Sequence, residues 1–187
     1  MKTLVFLLEE PSARDLIEGI APRLVPADVR IKYLVFEGKQ DLEGQLARKL
    51  RSWLVPDSVF VVLRDQDAAS CKEVKARLRA RVEESGRAGV LVRVACRELE
   101  SWILGDWNAV ARAFEKSSLR SQAGKAMYQN PDGLSQPVTE LRKHLPDYQK
   151  RDGARRVAPF LDPASNKSQS FRAFWSGVHG LLGGRRQ

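Results

Sequence analysis

The sequence predicts an α/β fold: a mostly parallel sheet of about four strands flanked by helices, followed by a helical C-terminal extension. Two observations predict it. Short, nearly continuous apolar runs, as needed by strands buried on both faces, alternate four times with segments whose apolar residues recur every three or four positions. A chain in which strand and helix signals alternate in this way builds a parallel sheet with helices on both sides.

Thr3–Leu8 is the first strand, and Pro11 and Ser12 follow it. Ser12 with Asp15 resembles a capping box, after which Leu16, Ile17, Ile20 and Leu24 form one helical stripe. Pro22 predicts that this helix ends early or kinks. Ile31–Phe36 reads as the second strand. The next helix carries Leu42, Leu46, Leu50 and Trp53 on one side. Ser58–Leu63 is the third strand, and its helix places Cys71, Val74, Leu78 and Val82 on one face, with Lys72, Lys75, Arg77, Arg79 and Arg81 on the others. Gly86 and Gly89 bracket the turn into Val90–Ala95, the fourth strand, and a fourth helix is expected from near Glu98 toward Phe114. Beyond Phe114, prolines and the Asn130–Gly133 turn punctuate the chain, with short helices expected at Val138–His144, Gly153–Phe160 and Ser170–Leu182. Residues 1–114 are therefore expected to form the α/β domain and 115–187 a basic helical extension packed on it.

Composition narrows the function. The chain has 187 residues, 43% apolar and 29% charged, enough for a real core. The longest apolar runs are far too short to span a bilayer, and Glu9 and Glu10 interrupt the only leader-like stretch. Two cysteines cannot make a disulfide framework, and two histidines without a cysteine cluster carry no zinc pattern. The expectation is a cytoplasmic protein without a membrane partner. Its charge is uneven: 18 basic and 17 acidic residues in 1–106 leave +1, whereas 14 and 6 in 107–187 leave +8. A basic excess of this kind suits a polyanion such as DNA or RNA, although a solvated surface would look the same.

In an open parallel sheet, ligands bind at the carboxyl ends of the strands. Strand one ends at Glu9-Glu10, strand three at Arg64-Asp65-Gln66-Asp67, and strand four near Glu98 and Glu100. Crowded carboxylates repel and raise one another's pKa, a penalty that a divalent cation removes. Mg²⁺ or Mn²⁺ is the expected cofactor, since such hard ions take oxygen ligands. Each acid alone has a plainer role as a helix cap or loop residue. Other chemistries have less support. A phosphate-binding Gly-x-x-x-x-Gly-Lys-Ser/Thr loop and a dinucleotide fingerprint are both absent. His144 and His179 lie in the extension and read as structural, and Cys71 and Cys96 read as buried thiols. A response-regulator receiver needs a Ser or Thr after strand four, where this chain has Ala95-Cys96. A haloacid-dehalogenase-type phosphatase needs its Asp-x-Asp after strand one.

A glutamate after strand one and an Asp-x-Asp after strand three resemble the Toprim fold of topoisomerases, primases and the overcoming-lysogenization-defect nucleases. The stretches Leu7–Ser12, Phe36–Leu42, Leu63–Asp67 and Cys96–Asp106, with Asn130-Pro131 and Ser168–Phe171, are similar to a bacterial family of Toprim-like proteins often accompanied by ABC-type ATPases in defence loci. The resemblance implies a metal-dependent nuclease. Glu9, Asp65 and Asp67 would match the Toprim acids as catalytic groups and metal ligands, although Toprim sequences place a glycine where this chain has Glu10. Glu100, with Glu98, is the candidate for a second ion. Lys75, Arg79, Lys150, Arg151, Arg155 and Arg156 are the expected contacts to a nucleic-acid backbone. Trp102 and Trp107 suit either base stacking or the helix core. An ABC-type or AAA ATPase partner in antiviral defence is also implied. A non-catalytic nucleic-acid- or ATPase-binding module and a small-substrate phosphohydrolase remain alternatives, and a homo-oligomer is compatible with the sequence.

Overall fold

In the computed structural model, which describes residues 1–183, four strands form one all-parallel sheet. They are β1 (Thr3–Leu8), β2 (Arg30–Val35), β3 (Ser58–Asp65) and β4 (Val90–Ala95), in the spatial order β2-β1-β3-β4. Register is set by pairs such as Leu8 with Val35, Leu8 with Leu63 and Asp65 with Ala95. β1 is buried along its whole length because both faces of the sheet are covered. Its side chains alternate between two cores. Leu4, Phe6 and Leu8 join one, and Val5 and Leu7 the other. β2 is an edge strand, with Arg30 and Lys32 exposed along it, a charge pattern that discourages edge-to-edge pairing.

One face is covered by α2 (Lys39–Arg51) and α3 (Cys71–Ser85), which contribute Leu42, Leu46, Leu50, Val74 and Leu78. The opposite face is covered by α1 (Pro11–Leu24) and by the C-terminal helical region. That region comprises α4 (Glu100–Leu104), α5 (Trp107–Ala113), a run of 3₁₀ turns, α6 (Pro137–His144), α7 (Lys150–Val157) and α8 (Gln169–Leu181). α7 packs along α1, and α8 lies beside β4. Residues 184–187 of the extension lie outside the described residues. Among the described residues no helix is long and apolar enough to cross a membrane.

Several local expectations change. α1 runs through Pro22 to Leu24, because Pro22 removes only one backbone bond near the helix end. Arg23 also ties that last turn to the carbonyls of Leu161 and Ala158, at 2.6 and 2.8 Å. No capping box forms at its start: Ser12 donates to the Glu10 carboxylate, and Asp15 is held by Arg151 at 2.7 and 3.2 Å. The single fourth helix is two. Asp106 caps α5 by accepting from Ala109 N–H at 3.0 Å and also accepts from Asp162 N–H at 3.0 Å. Gly105 admits Asn166 so closely that a Cβ there would sit 2.1 Å from its Oδ1. Trp102 and Trp107 are core residues, 0% and 2% exposed, and offer no face for base stacking.

Candidate active site

The strand order reverses direction between β1 and β3. After β1 the chain builds outward to β2 on one side, then returns to place β3 on the other. Loops leaving β1 and β3 therefore diverge to opposite faces, and the gap above their carboxyl ends is where such sheets bind ligands. Glu9 and Glu10 leave β1 into this gap, and Asp65 is the last residue of β3. The Glu9 carboxylate accepts from Asp65 N–H at 3.0 Å, so the two loops are tied at this point.

Period-two alternation at the end of β3 divides the acids between two faces. Arg64 turns toward α2. Its buried guanidinium binds Glu43 and lies 3.7 Å from both Glu9 Oε2 and Asp67 Oδ2. Asp67, in a left-handed turn (φ 57°), is engaged by Lys39 Nζ at 2.9 Å. Asp65 turns the other way, toward α4 and α7. There Lys150 Nζ lies 3.9 Å from Glu10, 4.0 Å from Glu98 and 3.7 Å from Glu100 Oε2. The acids expected around one centre thus form two adjoining groups, with Glu9 between them.

Burial shapes their protonation. Asp65 is held well above the usual carboxylate range, first by burial and then by the charges of Glu100, Glu10 and Glu9. Burial likewise pushes Glu100 from 4.5 up to about 7, against the opposing pull of Lys150. Glu9 is raised by burial, in part offset by the Asp65 N–H bond. For Lys150, burial works against the charged form, but Glu100, Glu10, Asp65 and Glu98 outweigh it and its pKa rises. Tyr148 is raised by burial and by neighbouring Glu100.

These residues fit a hard divalent ion in donor chemistry. Glu100 Oε2 is buried without a hydrogen-bond partner, and three carboxylates (Glu10, Glu98 and Glu100) lie within 4.0 Å of one ammonium, with the charge of Asp65 close enough to act on it. Among the described residues no three such groups already converge into a finished cage. Closing around an ion therefore requires side-chain movement, with Lys150 giving way or sharing the acids.

The basic residues are dispersed. Lys75 and Arg79 lie with Lys72 along a shallow groove on α3. Arg155 is exposed, whereas Arg151 is committed to Asp15, and Arg156 donates to the Ala113 carbonyl while stacking 4.3 Å over Phe114. Lys150 belongs to the acidic group. Sequence reasoning named Glu10 and Arg64 at the strand ends without giving them a role in the site, and did not single out Glu43 or Tyr148. The adjacent Glu9-Glu10 pair was a usable signal for Glu10, but a turn after a strand has no period from which to read direction. Gly153 supports the arrangement from below, since a Cβ there would meet the buried Tyr148 ring at 2.1 and 2.5 Å. Gly153→Ala is expected to destabilise the fold by about 1–3 kcal/mol, measured by urea unfolding.

Comparison with known proteins agrees with this architecture. Among solved structures, the chain is similar to the C-terminal region of the OLD protein of Xanthomonas campestris pv. campestris. The TM-score is 0.50 at 12% identity, over 96% of this chain and 95% of that one. Identity this low speaks to fold alone. No curated protein matches. A family model matches residues 8–179, nearly the whole chain, and the protein therefore belongs to the family described as Domain of unknown function (DUF4276).

Proposed function

We propose that this protein is a divalent-metal-dependent phosphodiesterase acting on DNA or RNA, working with an ATPase partner of ABC or AAA type in antiviral defence. The observation that carries the chemistry is the gathering of Asp65, Glu9, Glu10, Glu98 and Glu100 at the reversal point of the sheet, with Asp65 and Glu100 desolvated. The fold likeness to an OLD-protein region and the Toprim-like sequence pattern point the same way.

Asp65, Glu9 and Glu100 would hold Mg²⁺ or Mn²⁺, with Glu10 and Glu98 nearby at Lys150. Asp67 joins them only on leaving Lys39, an exposed pair of small energetic weight. Such an ion, when bound, stabilises charge on a transferring phosphoryl group and lowers the pKa of a coordinated water. Lys150 keeps the acids together without an ion and places a positive charge where a phosphate oxygen would approach. Arg64 orients Glu9 and restrains Asp67. Without an ion, burial raises Glu100 to about 7, so an ion bound there would displace its proton and metal affinity would rise with pH. Lys75 and Arg79 give the nucleic-acid backbone a track on α3, and Arg155 offers a further exposed cation on α7.

Purified protein is incubated with DNA and RNA in Mg²⁺ or Mn²⁺, with and without chelator. Metal-dependent cleavage that disappears in Asp65→Ala/Asp67→Ala is expected, and cleavage unchanged in that variant overturns the site. The internal neutralisation of the acids by Lys150 and Arg64 favours a second reading, a binding module without turnover. Binding that persists in the same variant, with no cleavage by the wild type under any divalent ion, selects it. In either case Lys75→Gln/Arg79→Gln is expected to lower the slope of log affinity against log salt by about two, read by fluorescence anisotropy over a salt series.

A further inference from the structure

Outside the acidic edge, the two cysteines of the chain meet. Cys71 opens α3 and Cys96 follows β4, and their sulfurs lie 3.1 Å apart with both thiols free. Neither is sealed in the core, for each side chain is only partly buried. Their hydrogen-bond partners are polar, while burial and then the Cys71 contact push the Cys96 thiol up to about 12, which leaves Cys71 as the first to attack an oxidant. Cys71 donates to Gln66 Oε1 at 3.2 Å, and Cys96 N–H donates to Ser170 Oγ at 3.3 Å. The two sulfurs face one another beside Gln66, at the start of the turn that carries Asp67. A disulfide needs sulfurs about 2 Å apart, so closing the bond asks for a movement of about 1 Å.

We propose that Cys71 and Cys96 are a site of reversible oxidation that closes to an intramolecular disulfide when a low-molecular-weight disulfide, such as oxidised glutathione, is the oxidant. The Cys71 thiol loses its proton to solvent and attacks one sulfur of the oxidant, breaking that S–S bond and releasing one glutathione as thiol. Cys96 then loses its proton and attacks the Cys71 sulfur, forming the Cys71–Cys96 bond and releasing the second glutathione. Two protein thiols are oxidised and one glutathione disulfide is reduced to two thiols. Proximity makes the second step intramolecular, so the mixed disulfide does not accumulate.

The bond also has a structural consequence. Gln66 Oε1 accepts from both Cys71 and Arg97 N–H (3.1 Å), while its amide donates to the Ala69 carbonyl at 2.7 Å. Oxidation removes the Cys71 donor and ties the first residue of α3 to the end of β4, on either side of the 66–70 turn. The inference stands whether or not the acidic edge is an active site, because its readout is the thiols themselves.

The full chain is treated with oxidised glutathione, and free thiols, intact mass and disulfide-linked peptides are measured. The expected result is loss of both thiols, a mass lower by two hydrogens, a peptide linking Cys71 to Cys96, and full reversal by dithiothreitol. Cys71→Ser and Cys96→Ser are each expected to retain one bound glutathione instead. Persistent glutathione on the folded wild type, disulfide-linked dimers, or thiols that react only after unfolding in urea would each overturn the proposal. The wild-type measurement decides it even if a serine variant folds poorly.

Discussion

Asp65→Asn is expected to lower metal-dependent cleavage by more than about 100-fold, whereas Asp67→Asn costs about 10-fold, a difference larger than their matching chemistry suggests. Asp65 ends β3, is buried, and faces Glu100, Glu10 and Glu9. Its amide replacement keeps the shape but removes the negative charge that a cation needs at the centre of the group. Asp67 lies in the following turn, is 36% exposed in its side chain, and is already neutralised by Lys39. On the proposed reading it is an outer partner, and outer partners of a metal site characteristically cost about 10–100-fold when lost. Single-turnover cleavage with saturating Mn²⁺, alongside a binding isotherm, separates loss of chemistry from loss of substrate affinity. Equal losses in the two variants would merge the two acidic groups into one and refute the division drawn at Arg64.

Stability of the metal-free protein is expected to fall as pH rises from about 4.5 to about 7, and Glu100→Gln is expected to flatten that slope. Glu100 titrates at about 7 in the folded chain against 4.5 ordinarily, so between these values the native state binds the proton that the unfolded state has released. Stability declines wherever the native state holds more protons. Below 4.5 both states are protonated and nothing is lost; above about 7 the full cost of a buried carboxylate is present. At 1.36 kcal/mol for each factor of ten, that cost is on the order of 3 kcal/mol. Burial raises Asp65 and Glu9 in the same direction and adds to the trend, whereas His144, lowered by burial, works against it below 6.5. Glu100→Gln is therefore expected to be more stable than wild type at pH 8 by a similar order, and less active. Urea unfolding across pH, with and without Mg²⁺, provides the measurement. A divalent ion that binds only the folded state restores stability at high pH. An unchanged slope in Glu100→Gln would show that the burial of this carboxylate does not control the titration.

Both expectations depend on how side chains from distant segments meet, and this sets how far the sequence could be read. Strands β1 and β4 were legible to the residue, since a run such as Thr3–Leu8 between polar turns has few other uses. The helices were legible from their apolar spacing, with errors where tertiary bonds override local preference, as Arg23 does beyond Pro22 and Asp106 and Asn166 do between α4 and α5. β3 runs two residues farther than expected because the charged Arg64 and Asp65 end an apolar pattern without ending the ladder; Asp65 still pairs with Ala95. The acidic strand ends were legible as a set. Their partners were not. Lys150 and Tyr148 lie some fifty residues beyond the last acid and carry no pattern that ties them to it.

The sequence by itself determined the alternation of strand and helix, the placement of acids at the strand ends and the basic bias of the C-terminal half, because burial period, turn chemistry and charge are local properties of the chain. Only the tertiary structure decided the order β2-β1-β3-β4, the division of Asp65 from Asp67, the insertion of Lys150 among Glu10, Glu98 and Glu100 and the meeting of Cys71 with Cys96. Those arrangements arise when helices from the end of the chain cover one face of the sheet. The free energy that brings them there belongs to the packed whole, and no short segment encodes it.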